Sequence, residues 1–382
     1  PAGTLDQLAR WSIVFFAEGK FYSIFAFLFG LGMVIQYRRA REHGARFVPF
    51  FLRRMLVLLG IGLIHAYLFW IGDILTLYAV LGIVVLLLFR NCRPRTLLIW
   101  TVVFLIVPLL INGALLGLVA LGRSTPEGAA AVDTALAEQQ RAYQTLSARA
   151  DQVYASGTFA EITRQRVQDM NFIYFTWPFM GFNVLAMMLL GLYAGARGIF
   201  GNIPDHLPFI RRLWLWGLIV GVIGNLAYVI AGQVSNRSDP SPQLILALVG
   251  QTFGAPALSI FYMTSLVLLT RTAIWERHLQ PLASVGRMAI SNYLLQTLIC
   301  TTLFYGYGFG LYGQVGAAAG VLLTIAIYAL QIPLSVWWLG HFRFGPVEWL
   351  WRSLTYGQWQ PMRYPPTGTS GRSRPASLGG RP

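Results

Sequence analysis

The chain has 382 residues, of which 56% are hydrophobic and only 11% are charged, whereas an ordinary soluble domain carries about 25% charged residues. This composition excludes a soluble globular protein. The net charge of +15 comes from 28 arginines and a single lysine, and such basicity is typical of nucleic-acid-binding proteins. The arginines, however, stand in short clusters between apolar blocks and form no long basic stretch with interleaved aromatic residues, so we predict no nucleic-acid partner.

The apolar blocks predict membrane-spanning helices, because a bilayer requires about 20 apolar residues per helical span. The predicted spans cover residues 20–37, 55–70, 74–89, 96–121, 171–195, 213–232, 243–270, 288–305 and 315–339. We therefore predict an all-α fold, a polytopic transmembrane helical bundle of about nine spans whose immediate partner is the lipid bilayer.

The arginines alternate between the two sides of this predicted bundle. The connections on one side, together with the C-terminal tail, hold 21 arginines and four acidic residues, a balance of +17, and the other side has a balance of −2. The positive-inside rule places the arginine-rich side in the cytoplasm. The C-terminus is therefore predicted to be cytoplasmic, with residues 1–19 outside.

The same distribution predicts the domain organisation. Residues 1–363 form a single membrane domain, in which 122–170 are an extracytoplasmic helical insertion and 340–363 are a tryptophan-rich cytoplasmic interfacial segment. Residues 364–382 consist mostly of Gly, Pro, Ser and Arg, so we predict a disordered cytoplasmic tail.

The second predicted span carries ionisable residues where they are costly in a bilayer. Arg54 and His65 are eleven positions apart, which places them within about 20° on the same helix face and about 16 Å apart along the axis. Asp73 follows, about 12 Å beyond His65 if the helix continues, so contact with the imidazole requires a bend or a water molecule.

These three residues have two interpretations. In the functional one, Arg54 holds an anionic donor, His65 acts as a general base, and Asp73 orients the imidazole or binds the acceptor. In the structural one, Arg54 is an ordinary interfacial arginine, His65 bonds between helices, and Asp73 belongs to a turn.

A second polar face rises from the predicted cytoplasmic side. Asn292 and Gln296 are four residues apart and share a helix face, just above Arg287 at the end of the same predicted span. Arg352 in the interfacial segment either contacts lipid phosphates or faces a donor.

The sequence contains no recognisable metal, nucleotide-triphosphate or serine-hydrolase motif, so we predict no metal.

Several segments resemble a known family in the same order along the chain. They are EGKFYSIFAFLFGLG (18–32), GLIHA (62–66), GDILTLY (72–78), GRMAISNY (286–293) and FRFGPVEWLWR (342–352). In these motifs the chain resembles the YeiB-like family of bacterial inner-membrane proteins, a domain of unknown function numbered 418, over nearly its whole length.

The resemblance implies a wider kinship with transmembrane acyltransferases, the group of the acyltransferase-3 proteins and the heparan-glucosaminide acetyltransferase. Such proteins are expected to move an acyl group from cytosolic acyl-CoA to a hydroxyl or amine on the far side, on a glycan or lipid-linked sugar. The acyltransferase-3 proteins carry an Arg-x10-His pattern on their third helix, and Arg54 with His65 reproduces this spacing. The expected catalytic residues are then His65 and Asp73. The expected acyl-CoA-binding residues are Arg54, Arg287, Asn292 and Arg352.

The chain departs from the family pattern at its start, where members usually open with a further span. We therefore expect a bundle of ten helices with the first one missing, in a multi-pass protein of the bacterial inner membrane. A homodimer or a partner membrane subunit is compatible with the sequence. Two other functions stay open: a transporter or flippase, and a non-catalytic accessory subunit.

Overall fold

The computed structural model describes residues 3–234 and 241–364. Within these residues every regular element is a helix, and the one pairing of extended backbone is an isolated bridge between Phe342 and Arg363. The all-α prediction is thereby confirmed. The predicted tail, residues 364–382, lies outside the described residues apart from Tyr364.

The described residues form thirteen α-helices, named α1 to α13 in chain order. Their bounds are Thr4–Phe16, Lys20–Glu42, Phe47–Leu68, Leu75–Val84, Pro94–Gly122, Pro126–Ser156, Phe159–Ala196, Ile203–Val234, Pro242–Leu269, Ala273–Arg287, Ala289–Phe304, Ala317–His341 and Pro346–Tyr356. A π-helical turn, Val85–Phe89, continues α4.

Six helical segments are long and apolar enough to cross a membrane by length and composition. They are Thr4–Glu42, Phe47–Leu68, Pro94–Gly122, Ile203–Gly232, Pro242–Leu269 and Ala317–His341. Three shorter apolar helices, Leu75–Phe89, Met180–Ala196 and Ala289–Phe304, coincide with the remaining predicted spans. The chain is a multi-pass helical membrane protein, whereas the count of nine spans and the side of the C-terminus stay predictions.

The core lies between α2, α3, α4 and α7, where large apolar side chains such as Met55 and Met188 are fully buried. Helices α2 and α7 are in backbone contact: a Cβ on Gly30 would collide with the carbonyl of Met188, and one on Gly191 with that of Phe27. Small residues permit such close approach in membranes, where van der Waals packing holds helices together. This packing fixes α2 and α7 as a rigid support for the α3–α4 pair.

The predicted insertion at 122–170 is helical and forms α6 and the beginning of α7. Thr158 starts α7 with a capping box, because its hydroxyl accepts the Glu161 N–H while the Glu161 carboxylate accepts the Thr158 N–H. Tyr154 near the end of α6 stacks on Tyr305, with ring centroids 5.1 Å apart. We call this end of the bundle the insertion end; its side of the membrane and the domain boundaries stay predictions.

At the opposite end, α13 packs against the beginnings of α3 and α11. The carboxylate of Glu348 accepts hydrogen bonds from the N–H groups of Ile290 at 2.7 Å and Ser291 at 3.0 Å, which caps the first turn of α11. In return the Ser291 hydroxyl accepts the Val347 N–H at 3.0 Å. These reciprocal bonds fix α13 beneath α11, at what we call the arginine end.

Candidate functional site

His65 and Asp73 form a buried hydrogen-bonded pair. Helix α3 ends at Leu68, and the following residues reverse the chain, so Asp73 returns toward the helix it has just left. Its Oδ1 atom lies 2.8 Å from Nδ1 of His65, and the two residues are 4% and 2% exposed. The contact is direct and is made by a bend of the chain, one of the two routes left open by the sequence; a continuous helix would hold the two residues about 12 Å apart.

Asp73 is held by a second bond at the beginning of α4. Its Oδ2 atom accepts the backbone N–H of Thr76 at 2.7 Å, in the first turn of that helix. This position puts the carboxylate at the positive end of the α4 dipole. Both carboxylate oxygens are thus fixed, and they fix the orientation of the His65 ring in turn.

The other imidazole nitrogen faces α11. Nε2 of His65 lies 3.0 Å from Oγ1 of Thr297, and the rings of Tyr293 and Trp70 flank the imidazole at 5.0 and 6.4 Å. Sequence reasoning missed Thr297 and Tyr293, because they lie more than 220 positions from His65 and share no local pattern with it. Asp73, His65 and Thr297 form a hydrogen-bonded line through the bundle.

Two cavities border this line of residues, one at His65 and the other at Thr297. The apolar cavity, about 550 Å³, lies between α3, α11, α12 and α13 and reaches His65 from the arginine end. Its lining includes Ile61, His65, Leu295, Leu298, Leu334 and Val347. The aromatic cavity, about 540 Å³, reaches Thr297 from the insertion end. Its lining includes Trp70, Tyr154, Tyr293, Thr297, Tyr305 and Tyr312. His65 lines one cavity and Thr297 the other, so their hydrogen bond marks the boundary.

Arg54 lies on the same helix as His65, toward the arginine end. Its guanidinium stacks 3.6 Å above the ring of Trp351, and the indole N–H of Trp351 donates to the Arg54 carbonyl at 2.8 Å. A cation over a tryptophan face contributes about 0.5–2 kcal/mol. This double contact attaches α13 to α3 below the apolar cavity.

Two further arginines lie beside the ring of Phe344, just before α13, and a third bonds to one of them. Arg343 and Arg352 stand 5.7 and 5.0 Å from its ring, and Arg287 donates to the Arg343 carbonyl at 3.3 Å. In the part of the chain that the structure describes, neither these three nor Arg54 pairs with a carboxylate. We call Arg54, Arg287, Arg343 and Arg352 the arginine cluster.

Two predicted residues differ from expectation in their surroundings. Arg287 is the last residue of α10, and α11 begins after a break at Met288, so Arg287 and Asn292 do not belong to one helix. The amide of Asn292 donates to Ser335 at 3.0 Å and to the Val285 carbonyl at 3.3 Å. Asn292 borders the apolar cavity, but its N–H groups are occupied by interhelical bonds.

The sequence was compared with known proteins. A family described as "Protein of unknown function (DUF418)" matches residues 194–358. "Uncharacterized protein YxaH" of Bacillus subtilis (strain 168) is 38% identical over 375 residues, covering 94% of this chain and 84% of that protein. "Uncharacterized protein YeiB" of Escherichia coli (strain K12) is 30% identical over 360 residues, covering 92% of this chain and 86% of that protein.

The "Uncharacterized 39.9 kDa protein in amylase 3'region" of Bacillus acidopullulyticus is 29% identical over 369 residues, with coverage of 94% and 86%. No solved structure matches the chain. The matches to YxaH and YeiB extend over nearly the whole chain and confirm the family expected from the sequence motifs. The chain belongs to the DUF418 family, and YxaH and YeiB are similar to this chain along most of their length.

Proposed function

We propose that this protein is a membrane-embedded acyltransferase that moves an acyl group from acyl-CoA to a hydroxyl or amine acceptor. One observation carries the proposal: His65, oriented by Asp73, lines an apolar cavity and bonds to a hydroxyl group that lines an aromatic cavity. An acyl transfer needs a base at the point where donor and acceptor meet.

The pair supplies that base. The Asp73 carboxylate accepts the Nδ1–H of His65, which leaves Nε2 without a proton. Nε2 then accepts a hydrogen bond from the Thr297 hydroxyl and can take a proton from an attacking hydroxyl or amine. The carboxylate also stabilises the imidazolium that forms. The exclusion of water around a 2%-exposed histidine strengthens these interactions and limits hydrolysis of the donor.

The arginine end suits an acyl-CoA donor. Guanidinium groups bind phosphates through charge-assisted, often bidentate hydrogen bonds, and no carboxylate among the described residues competes for the arginine cluster. The Nε atom of Arg352 is buried and has no hydrogen-bond partner in the part of the chain that the structure describes. Arg54, Arg287 and Arg352 would hold the phosphates, Asn292 borders the path, and the apolar cavity would take the acyl group toward His65.

The aromatic cavity suits a sugar-containing acceptor. Tyr154, Tyr305 and Trp70 present ring faces, and Gln296 and Thr301 add polar groups to the same lining. Flat apolar rings beside a few polar groups are the usual composition of a small-molecule site. We therefore assign the acceptor to the class of glycans or lipid-linked sugars.

The positive-inside rule supports a side of the membrane for each substrate. With the arginine end in the cytoplasm, the donor would enter from the cytosol and the acceptor from outside, as required for transfer across a bacterial inner membrane.

The test uses the purified protein in lipid nanodiscs with acetyl-CoA and palmitoyl-CoA, each combined with free and lipid-linked sugars. We expect acceptor-dependent release of CoA thiol, reduced by a factor of about 10²–10⁴ in His65→Gln. The matched control is His278→Gln, since His278 is exposed and bonds only to the Ile274 carbonyl of its own helix among the described residues. Uptake or lipid scrambling without any CoA dependence would instead support a transporter.

A further inference from the structure

The hydroxyl of Thr297 occupies a distinctive place at the boundary of the two cavities. Its Oγ1 atom lies 3.0 Å from Nε2 of His65, while its side chain lines the aromatic cavity. A donor thioester beside His65 in the apolar cavity and an acceptor in the aromatic cavity would each face this hydroxyl. The His65–Thr297 bond, however, stands between them.

The connectivity matches that of an activated nucleophile. In such sites a hydroxyl lies about 2.6–3.2 Å from a base, and a third group orients the base. Here the bonds run from Thr297 to His65 at 3.0 Å and from His65 to Asp73 at 2.8 Å. The same arrangement recurs on unrelated folds and is recognised by geometry rather than by sequence position.

The Thr297 hydroxyl lies 3.2 Å from the Tyr293 carbonyl of its own helix as well as 3.0 Å from Nε2 of His65, so its proton has two acceptors within reach. Two neighbouring hydroxyls bond elsewhere. Thr301, one turn further along α11, lines the same cavity, but its hydroxyl donates to the Leu298 carbonyl. Ser291 borders the apolar cavity, but its hydroxyl bonds to Glu348. Among the described residues, Thr297 is the hydroxyl-bearing residue that bonds to His65.

We propose that Thr297 is a covalent nucleophile that carries the acyl group from the apolar to the aromatic cavity, an inference that rests on the proposed acyl transfer. In the first step Oγ1 attacks the thioester carbonyl carbon while Nε2 of His65 takes its proton. The C–S bond breaks, and the CoA thiolate leaves with that proton as the free thiol. An acyl-threonine ester remains.

In the second step the acceptor hydroxyl gives its proton to Nε2 and attacks the ester carbonyl. The bond between the acyl carbon and Oγ1 breaks, and Oγ1 regains a proton from His65. The sum is acyl-CoA plus acceptor giving CoA plus acylated acceptor. The enzyme returns to its starting state, and the two steps consume no oxidant or reductant.

Isotope exchange tests this relay. Wild-type protein in nanodiscs is incubated with unlabelled acetyl-CoA or palmitoyl-CoA and with radiolabelled CoA, without acceptor. A covalent intermediate predicts transfer of label into acyl-CoA, since the first step is reversible. We expect exchange in wild type and in Thr297→Ser, a loss of at least about 10³-fold in Thr297→Val, and normal exchange in the matched control Thr324→Val. Thr324 is an exposed threonine of α12 whose hydroxyl bonds to the Gly320 carbonyl of its own helix.

The outcomes separate this inference from the proposed function. Acceptor-dependent CoA release without exchange, or exchange unaffected by Thr297→Val, overturns the covalent relay and leaves acyl transfer standing. Absence of CoA release with every acceptor overturns the proposed function itself. Mass mapping of a trapped acyl group to the peptide that contains Thr297 supports the relay, and mapping to another residue contradicts it. Unchanged acyl-CoA binding shows that Thr297→Val is folded.

Discussion

The α-carbon of Gly62 lies against Thr76 at the first turn of the next helix, so closely that a Cβ on Gly62 would stand 2.6 Å from the Thr76 nitrogen. That nitrogen donates to Asp73, which in turn bonds to His65. Close approach of α3 and α4 at Gly62 therefore permits the contact between His65 and Asp73, and a side chain at this point would separate them.

Gly62→Ala should destabilise the protein by about 1–3 kcal/mol, the usual cost of overpacking, and reduce acyl transfer. The displaced backbone nitrogen of Thr76 would move Asp73 away from the imidazole. Thermal unfolding in nanodiscs and the CoA-release assay measure the two effects.

Gly60→Ala is the matched control, two residues earlier on the same helix. A Cβ on Gly60 meets nothing within 4 Å, and alanine favours a helix interior over glycine by about 0.5–1 kcal/mol. We expect equal or slightly higher stability and unchanged transfer. Equal damage from both substitutions would show that the close approach at Gly62 does not govern the site.

Asp73→Asn should lower kcat by a factor of about 10²–10⁴ with little loss of stability. The amide oxygen can still accept the Thr76 N–H, but an amide does not stabilise a charged imidazole as a carboxylate does. Steady-state kinetics beside a melting curve measure the two effects. Asp133→Asn, an exposed carboxylate that pairs with Arg123 on the insertion, serves as the control. An unchanged kcat in Asp73→Asn would remove Asp73 from the mechanism.

Arg54→Ala should raise the Kd for acyl-CoA about tenfold or more, because it removes a cation from the arginine cluster and the contact that attaches α13. Arg46→Ala removes an exposed arginine near the beginning of the same helix and should change the Kd little. Equilibrium binding of a fluorescent acyl-CoA at two salt concentrations distinguishes these cases. Equal effects of the two substitutions would indicate that the overall positive charge attracts acyl-CoA and that the arginine cluster is not a specific binding site.

The tyrosines of the insertion end predict a dependence of stability on alkaline pH. Burial raises the pKa of Tyr312 to about 12 and also raises the pKa of Tyr154, whereas an unfolded tyrosine ionises near pH 10. The folded state therefore holds neutral phenols, whose contribution is fully present below about pH 10 and is lost as pH rises toward 12.

Ultraviolet titration of wild type against Tyr312→Phe measures this effect. The difference spectrum should show the Tyr312 phenolate appearing near pH 12. A difference that is already complete at pH 10 would mean that Tyr312 is exposed, and that the wall of the aromatic cavity is open.

Local sequence patterns predicted the elements, because each depends on residues close together in the chain. The apolar blocks located the spanning-capable helices, and the helical period placed Arg54 and His65 on one helix with the correct spacing. The same reasoning left the contact at Asp73 open between a bend and a water molecule, since neither a proline nor a capping residue in the sequence marks the end of α3 at Leu68.

The rest of the site required tertiary structure. Thr297 meets His65 across the bundle, and no spacing rule connects residues so far apart. Asn292 lies on the predicted helix face, but its amide bonds to Ser335 on α12, a partner that a single-helix argument cannot supply. The break at Met288 also places Arg287 at the end of α10, whereas the sequence pattern placed it on the same helix as Asn292.

The most direct test of the account is a cryo-electron microscopy map of the protein in nanodiscs with a thioether analogue of acyl-CoA that cannot transfer its acyl group. We predict density for the phosphates against Arg54 and Arg352, and for the acyl chain in the apolar cavity with its carbonyl region beside Nε2 of His65. An apolar cavity without analogue density at saturating concentration, or an analogue bound elsewhere on the protein, would contradict acyl transfer at this site.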